Sequence, residues 1–108
     1  MSVLIHDIDI NQGATFQREF TATHPDTGLP FDMTGGTALA QLWDEATDTL
    51  AATFGCLITA NKLLIELTAA VTAALPPGTT FTHHYRAQVT LGAVVYIIAK
   101  GRAVIFAP

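Results

Sequence analysis

Charge is scarce in this sequence: only 13% of its residues are Asp, Glu, Lys or Arg, against about 25% in an ordinary globular chain. Half of the residues are apolar, which excludes a disordered chain. So few charges read either as apolar surface for a partner to cover or as a compact, Ala- and Thr-rich monomer. The basic residues Arg18, Lys62, Arg86, Lys100 and Arg102 are scattered along a chain of net charge −4. No basic stripe follows a phosphate backbone, so nucleic-acid binding is not expected. Cysteine is nearly missing. Cys56 stands alone among the 108 residues, so no disulfide forms within them. It reads either as a small buried hydrophobe or as half of a disulfide to another chain. Long hydrophobic runs are missing too: Ala93 to Ala99 is the longest, far short of the ~20 residues that cross a bilayer as a helix. The opening MSVLIHD has no basic residue ahead of its apolar ones, unlike a signal peptide. A soluble protein made in a cytoplasm, with no membrane partner, is the expectation.

What is present is β-strand alternation punctuated by turns. Val3 to Ile10 reads as a first strand, with Asp7 and Asp9 on its wet side. Ala14 to Thr23 alternates cleanly, placing Phe16, Phe20 and Ala22 on one face. Arg18 falls on that face too, which reads as a place near a strand end or as a stem laid over the core edge. The turn formers of HPDTGLP follow, with Pro25, Asp26 and Gly28, and Phe31 and Met33 then anchor a loop into the core. Thr37 to Asp44 and Leu50 to Ile58 are strands joined by the polar hairpin DEATDT, with Gly55 a candidate bulge. Leu50, Ala52, Phe54 and Cys56 share one side of the second strand. Leu63 to Leu67 is a short strand. In LTAAVTAALPPG, Thr68 caps one or two helical turns whose Val71 and Leu75 share a docking face, and Pro76-Pro77-Gly78 end them. Thr79 to Leu91 is a long strand, with Phe81, His83, Tyr85, Ala87 and Val89 on one side. After a Gly92-Ala93 turn, Val94 to Lys100 pairs back, Gly101 marks a bulge or kink, and Arg102 to Phe106 is the last strand.

Strands of this length, with turns every 8–12 residues or so, predict a single all-β domain over residues 1–108. It is a β-sandwich, immunoglobulin-like or a partly open barrel, with one short helical turn around residues 68–75. Phe16, Phe20, Trp43, Phe54, Leu75 and Tyr85 form the expected core.

Catalytic chemistry is not legible in the sequence, and no catalytic, cofactor-binding or metal-binding residue is assigned. His83 and His84 are neighbours on a strand and point to opposite faces, so they do not share an ion. Asp44, Glu45 and Asp48 lack the glycine and closing glutamate of a calcium loop. Gly35-Gly36 is followed by no Lys-Ser/Thr pair, no Gly-x-Ser-x-Gly elbow occurs, and Cys56 has no basic neighbour in sequence. The final hairpin is unusually apolar, and His84, Arg86, Val94, Tyr96 and Ile98 form the candidate interface.

Three stretches carry a resemblance. ATFQREFTA leads into PFDMTGGTALAQLWD, an apolar-Asp-apolar-Thr-Gly turn that opens a strand. LLIELTAAVTAALPPGTTFTHHYRAQVT runs from strand through short helix and Leu-Pro-x-Gly stop to a long Tyr-bearing strand. KGRAVIFAP is a closing Gly-Arg strand. From about Ile10 to Phe106 the chain resembles small β-sandwich proteins of bacteriophage and prophage tails, baseplates and tail fibres. The resemblance implies a virion structural protein, an adaptor or fibre component, whose partners are other virion proteins and copies of itself. A capsid decoration or neck protein is the alternative placement. A free carbohydrate-binding module, with Trp43 and Tyr85 as stacking residues, is the alternative from a different class.

Overall fold

A computed structural model describes residues 4–24, 26–78 and 82–107. The expectations for Val3, Pro25 and residues 79–81, including Phe81, lie outside the described residues. The chain folds as an all-β sandwich with one short helix. Strands β1 (Leu4–Ile5) and β2 (Ile8–Asn11) both run parallel to β8 (Val94–Phe106). Beyond β8 lie β7 (His83–Leu91), β4 (Thr37–Asp44) and the first half of β5 (Thr49–Thr59), each antiparallel to its neighbour. The second half of β5 leaves β4 and pairs with β6 (Lys62–Leu67), which pairs with β3 (Phe16–Thr21). One long strand thus serves both layers, as at the corner of a barrel.

The layers meet through aromatic rings. Phe20 of β3 stacks on Tyr85 of β7 with centroids 6.2 Å apart, and Phe54 of β5 meets the same ring at 6.5 Å. Ile8, Ile10, Met33, Leu42, Leu63 and Ile65 fill the space around them. Of the expected core, Phe20, Phe54, Leu75 and Tyr85 are buried and Phe16 packs at its margin. Trp43 is not core. Its inward neighbours on β4 are Ala40 and Leu42, so strand alternation turns Trp43 to the outer face.

Gly101 does not interrupt β8, which continues from Val94 through Phe106. The break falls on the opposing strand, where His6 and Asp7 separate β1 from β2. A Cβ on Gly101 would collide with the His6 carbonyl oxygen. Only glycine lets that backbone approach so closely. The bulge in β8 comes earlier, where Ala87 pairs with Ala99 but Gln88 pairs with Ile97, leaving Ile98 unpaired. Similarly, Gly55 is not the bulge of β5. The extra residue is Ala51, between the Leu42–Ala52 and Trp43–Leu50 pairs, and Gly55 is where β5 changes partner. The bulge also separates Leu50 from its expected companions: Phe54 is buried while Leu50 is exposed.

The helix α1 (Ala69–Ala73) starts at the expected cap, with the Thr68 hydroxyl accepting from the Val71 N–H. It docks by Thr72 and Leu75 rather than by Val71, which is exposed. The Thr72 hydroxyl donates to Ala14 O at 2.8 Å and accepts from Gly13 N at 3.1 Å. From the same turn, Gln12 Nε2 donates to Ala73 O and Leu75 O, satisfying carbonyls that the short helix leaves open. A polar seam therefore holds the helix over the β2–β3 turn.

The Asp-Met-Thr-Gly turn also has a physical account. Asp32 Oδ1 accepts from both Thr34 N and Thr34 Oγ1, which draws its carboxyl below the usual value. Gly35 has φ +84°, and a Cβ on Gly36 would press on Val89 Cγ1 at 2.7 Å.

Candidate functional site

The outer face of the β4–β7–β8 sheet divides into two halves. Registers place Leu39 beside Gln88 and Ile97, and Thr37 beside Thr90 and Val95. This end carries no charge and is open, with Leu39 at 40% and Val95 at 53% exposure. Toward the other end the rows become Gln41–Arg86–Lys100 and Trp43–His84–Arg102. Three of the five Lys and Arg residues, Arg86, Lys100 and Arg102, therefore gather on one face although they are dispersed in sequence.

A groove of about 490 Å³ runs across this second half. Trp43 and His84 stand on adjacent strands, Arg86 and Lys100 face one another, and Ile5 and Asp48 contribute from β1 and the β4–β5 hairpin. Ile5 is 73% exposed. Tyr85 and Gly101, whose positions face inward, line it from beneath. Asp48 holds φ +52°, a left-handed conformation at the hairpin that suits Asp better than bulkier residues.

Arg102 and His84 on this face have carboxylate neighbours. Arg102 Nη2 lies 3.7 Å from Asp7 Oδ2, while its backbone N–H donates to Asp7 Oδ1 at 3.0 Å. His84 Nδ1 is 3.9 Å from Glu45 Oε1. Arg86 and Lys100 have no ion pair among the described residues. Like charges directly across a ladder are unfavourable by a few tenths of a kcal/mol or more.

The candidate interface predicted from sequence is therefore split. His84 and Arg86 do face outward beside the groove. Val94 is exposed, at the tip of the β7–β8 hairpin. Tyr96 turns inward, its ring 5.0 Å from that of Phe31, and Ile98 is buried at 1% exposure. Neither Tyr96 nor Ile98 belongs to an accessible face; Val95 and Ile97 occupy the outward positions instead. Tyr85, at 1% exposure, presents no ring for stacking. Trp43, Lys100, Ile5 and Asp48 were not legible as one site, because three separate parts of the chain bring them together.

His83 and His84 do face opposite ways. His83 is buried, with Nδ1 2.8 Å from Thr82 Oγ1, and its Nε2 lacks a hydrogen-bond partner at 3.9 Å from Asp44 Oδ2. Among the described residues no group of three or more His, Cys, Asp or Glu is placed to hold a metal ion. Cys56 is a free, half-buried thiol whose Sγ points to Phe54 O at 3.7 Å, and burial pushes its pKa up. It borders a smaller cavity of about 310 Å³ with Leu57, Leu64 and Glu66. No helix among the described residues is long and apolar enough to cross a membrane.

Strand order and core define an all-β sandwich domain with an outward aromatic and cationic groove. No family model matches the chain, and no curated protein matches it. Among solved structures it is similar to the crystal structure of DIP-gamma IG1+IG2, at 8% identity and a TM-score of 0.45. That alignment covers 100% of this chain and 48% of the other, so the chain spans about half the length of that structure. A likeness at this level carries no argument about function.

Proposed function

We propose that this chain is a structural protein of a bacteriophage particle, a baseplate or tail-fibre component that works by packing against copies of itself and other virion proteins. The observation that carries the reading is the uncharged end of the outer sheet face, where Leu39 on β4 and Val95 on β8 are exposed on either side of Gln88 and Thr90. Exposed apolar side chains on an uncharged end of a chain with so few charges suit burial against a neighbour. The resemblance of the ATFQREFTA, PFDMTGG and KGRAVIFAP stretches to phage tail sandwiches points to the same kind of neighbour. A capsid decoration or neck protein would use such a face in the same way, and labelled particles imaged by electron microscopy separate the two placements.

Sedimentation of the purified chain tests the reading. A discrete oligomer that a Leu39→Glu, Val95→Glu double variant converts to folded monomer is the expected result. A wild-type monomer that also fails to bind isolated phage tails would refute it.

A further inference from the structure

The groove beside Trp43 has features that packing between sheets does not require. Its two central cations, Arg86 and Lys100, face one another without an ion-pair partner among the described residues. An arrangement that is unfavourable when empty becomes favourable when an anion sits between the cations. Trp43 supplies a flat apolar surface on the neighbouring strand. Asp48 in the wall and Glu45 beside His84 add carboxylates that accept hydrogen bonds from hydroxyls. The size, about 490 Å³, lies in the range of small-ligand sites, ~300–1,000 Å³.

These features also discriminate among anions. The strands under the groove, β4, β7 and β8, are paired on both sides over much of its length. An extended peptide therefore finds no free strand edge there, and the usual main-chain component of peptide capture is missing. A polyanion such as a nucleic acid would meet Asp48, Glu45 and a chain of net charge −4. A ligand with one carboxylate, several hydroxyls and an apolar ring face avoids both penalties.

We infer that the groove is a binding site for an acidic saccharide, a uronic or sialic acid residue whose carboxylate lies between Arg86 and Lys100 while its ring stacks on Trp43. His84 and Asp48 then hydrogen-bond to ring hydroxyls. The site stands independently of the assembly reading, since it uses the other half of the sheet face.

Trp43 is the chain's one tryptophan, so tryptophan fluorescence, excited to the red of tyrosine absorption, reports on this groove. Titration with digalacturonate and with N-acetylneuraminate at low salt, with calorimetry as a second readout, provides the test. Saturable binding of at least one acid is expected. Neutral cellobiose should bind at least tenfold more weakly, and an Arg86→Gln, Lys100→Gln double variant should lose at least tenfold in affinity while keeping the wild-type circular dichroism spectrum. The absence of a saturable response to either acid, up to the order of 10 mM, would overturn the inference. Equal affinity for cellobiose, or an unaffected double variant, would do the same. Tighter binding of tetraglutamate or of a short oligothymidylate would reassign the groove to an acidic polypeptide or to nucleic acid, and so overturn it as well. An oligomer that persists while all sugars fail to bind would sink this site and leave the assembly reading intact.

Discussion

The Tyr85 hydroxyl donates a 2.6 Å hydrogen bond to the carbonyl oxygen of His6, 79 residues earlier in the chain. His6 in turn donates its backbone N–H to Lys100 O at 3.0 Å. The break between β1 and β2 is therefore pinned from below by a core tyrosine and from the side by β8. The same segment brings Ile5 to the groove. Core packing and groove shape meet at this point.

Removing that hydroxyl should cost stability without disturbing the core. Tyr85→Phe leaves a part-buried carbonyl without its donor, and about 1 kcal/mol is expected in urea unfolding. Burial also raises the Tyr85 pKa from 10.0 to about 12. A folded-state pKa above the unfolded value means that the native state holds the proton longer. Its contribution is complete below pH 10 and is lost as pH rises from there toward 12. Wild type should accordingly lose more stability over that window than Tyr85→Phe, measured by melting temperature against pH.

Gly101 tolerates no side chain. In Gly101→Ala the new methyl meets the His6 backbone, which must move and give up the Tyr85 bond. Overpacking costs typically about 1–3 kcal/mol, and the lost hydrogen bond adds to it. Amide exchange at residues 4–11 should accelerate relative to that in β6. Unchanged protection would show that the β1–β2 break has other supports.

Trp43 and Phe54 separate surface from core. Phe54 contacts both Phe16 and Tyr85, and Phe54→Ala should cost about 3–5 kcal/mol. Trp43 lies outside the core, and Trp43→Ala should cost about 1 kcal/mol or less while abolishing acid-saccharide binding. Chemical denaturation of the two variants side by side checks the ordering.

The helix depends on one hydroxyl. Thr72→Val keeps the shape but leaves Ala14 O and Gly13 N without their side-chain partner. A loss of about 1–3 kcal/mol is expected. Thr68→Ala, which removes only the cap, should cost about 1 kcal/mol. Equal losses from the two would show that the seam to the β2–β3 turn contributes nothing.

Cys56 should be a slow thiol. Burial raises its pKa from 9.0, so little thiolate exists at neutral pH. Iodoacetamide labelling should trail that of free cysteine at pH 7.5 and still be climbing above pH 9. The proposed disulfide to another chain would appear as a reductant-sensitive dimer in assembled particles.

The sequence by itself determined the class of fold and its punctuation. Alternation in residues 83–89, the Thr68 cap, the Pro76-Pro77-Gly78 stop and the Asp-Met-Thr-Gly turn are local signals, and local backbone chemistry is enough to produce them. The outward side of β8 was not available locally. Val94 to Ala99 is apolar throughout, so no alternation marks one side as wet, and an unpaired Ile98 shifts the parity partway along. Trp43 likewise reads as core by residue type, yet alternation on β4, whose Ala40 and Leu42 point inward, sends it outward. The Arg86–Lys100 pair exists only because β7 and β8 align in one register, and Ile5 joins it only because β1 lies along β8. Tertiary pairing decided the groove, since side chains from distant segments become neighbours only after the ladders between them form.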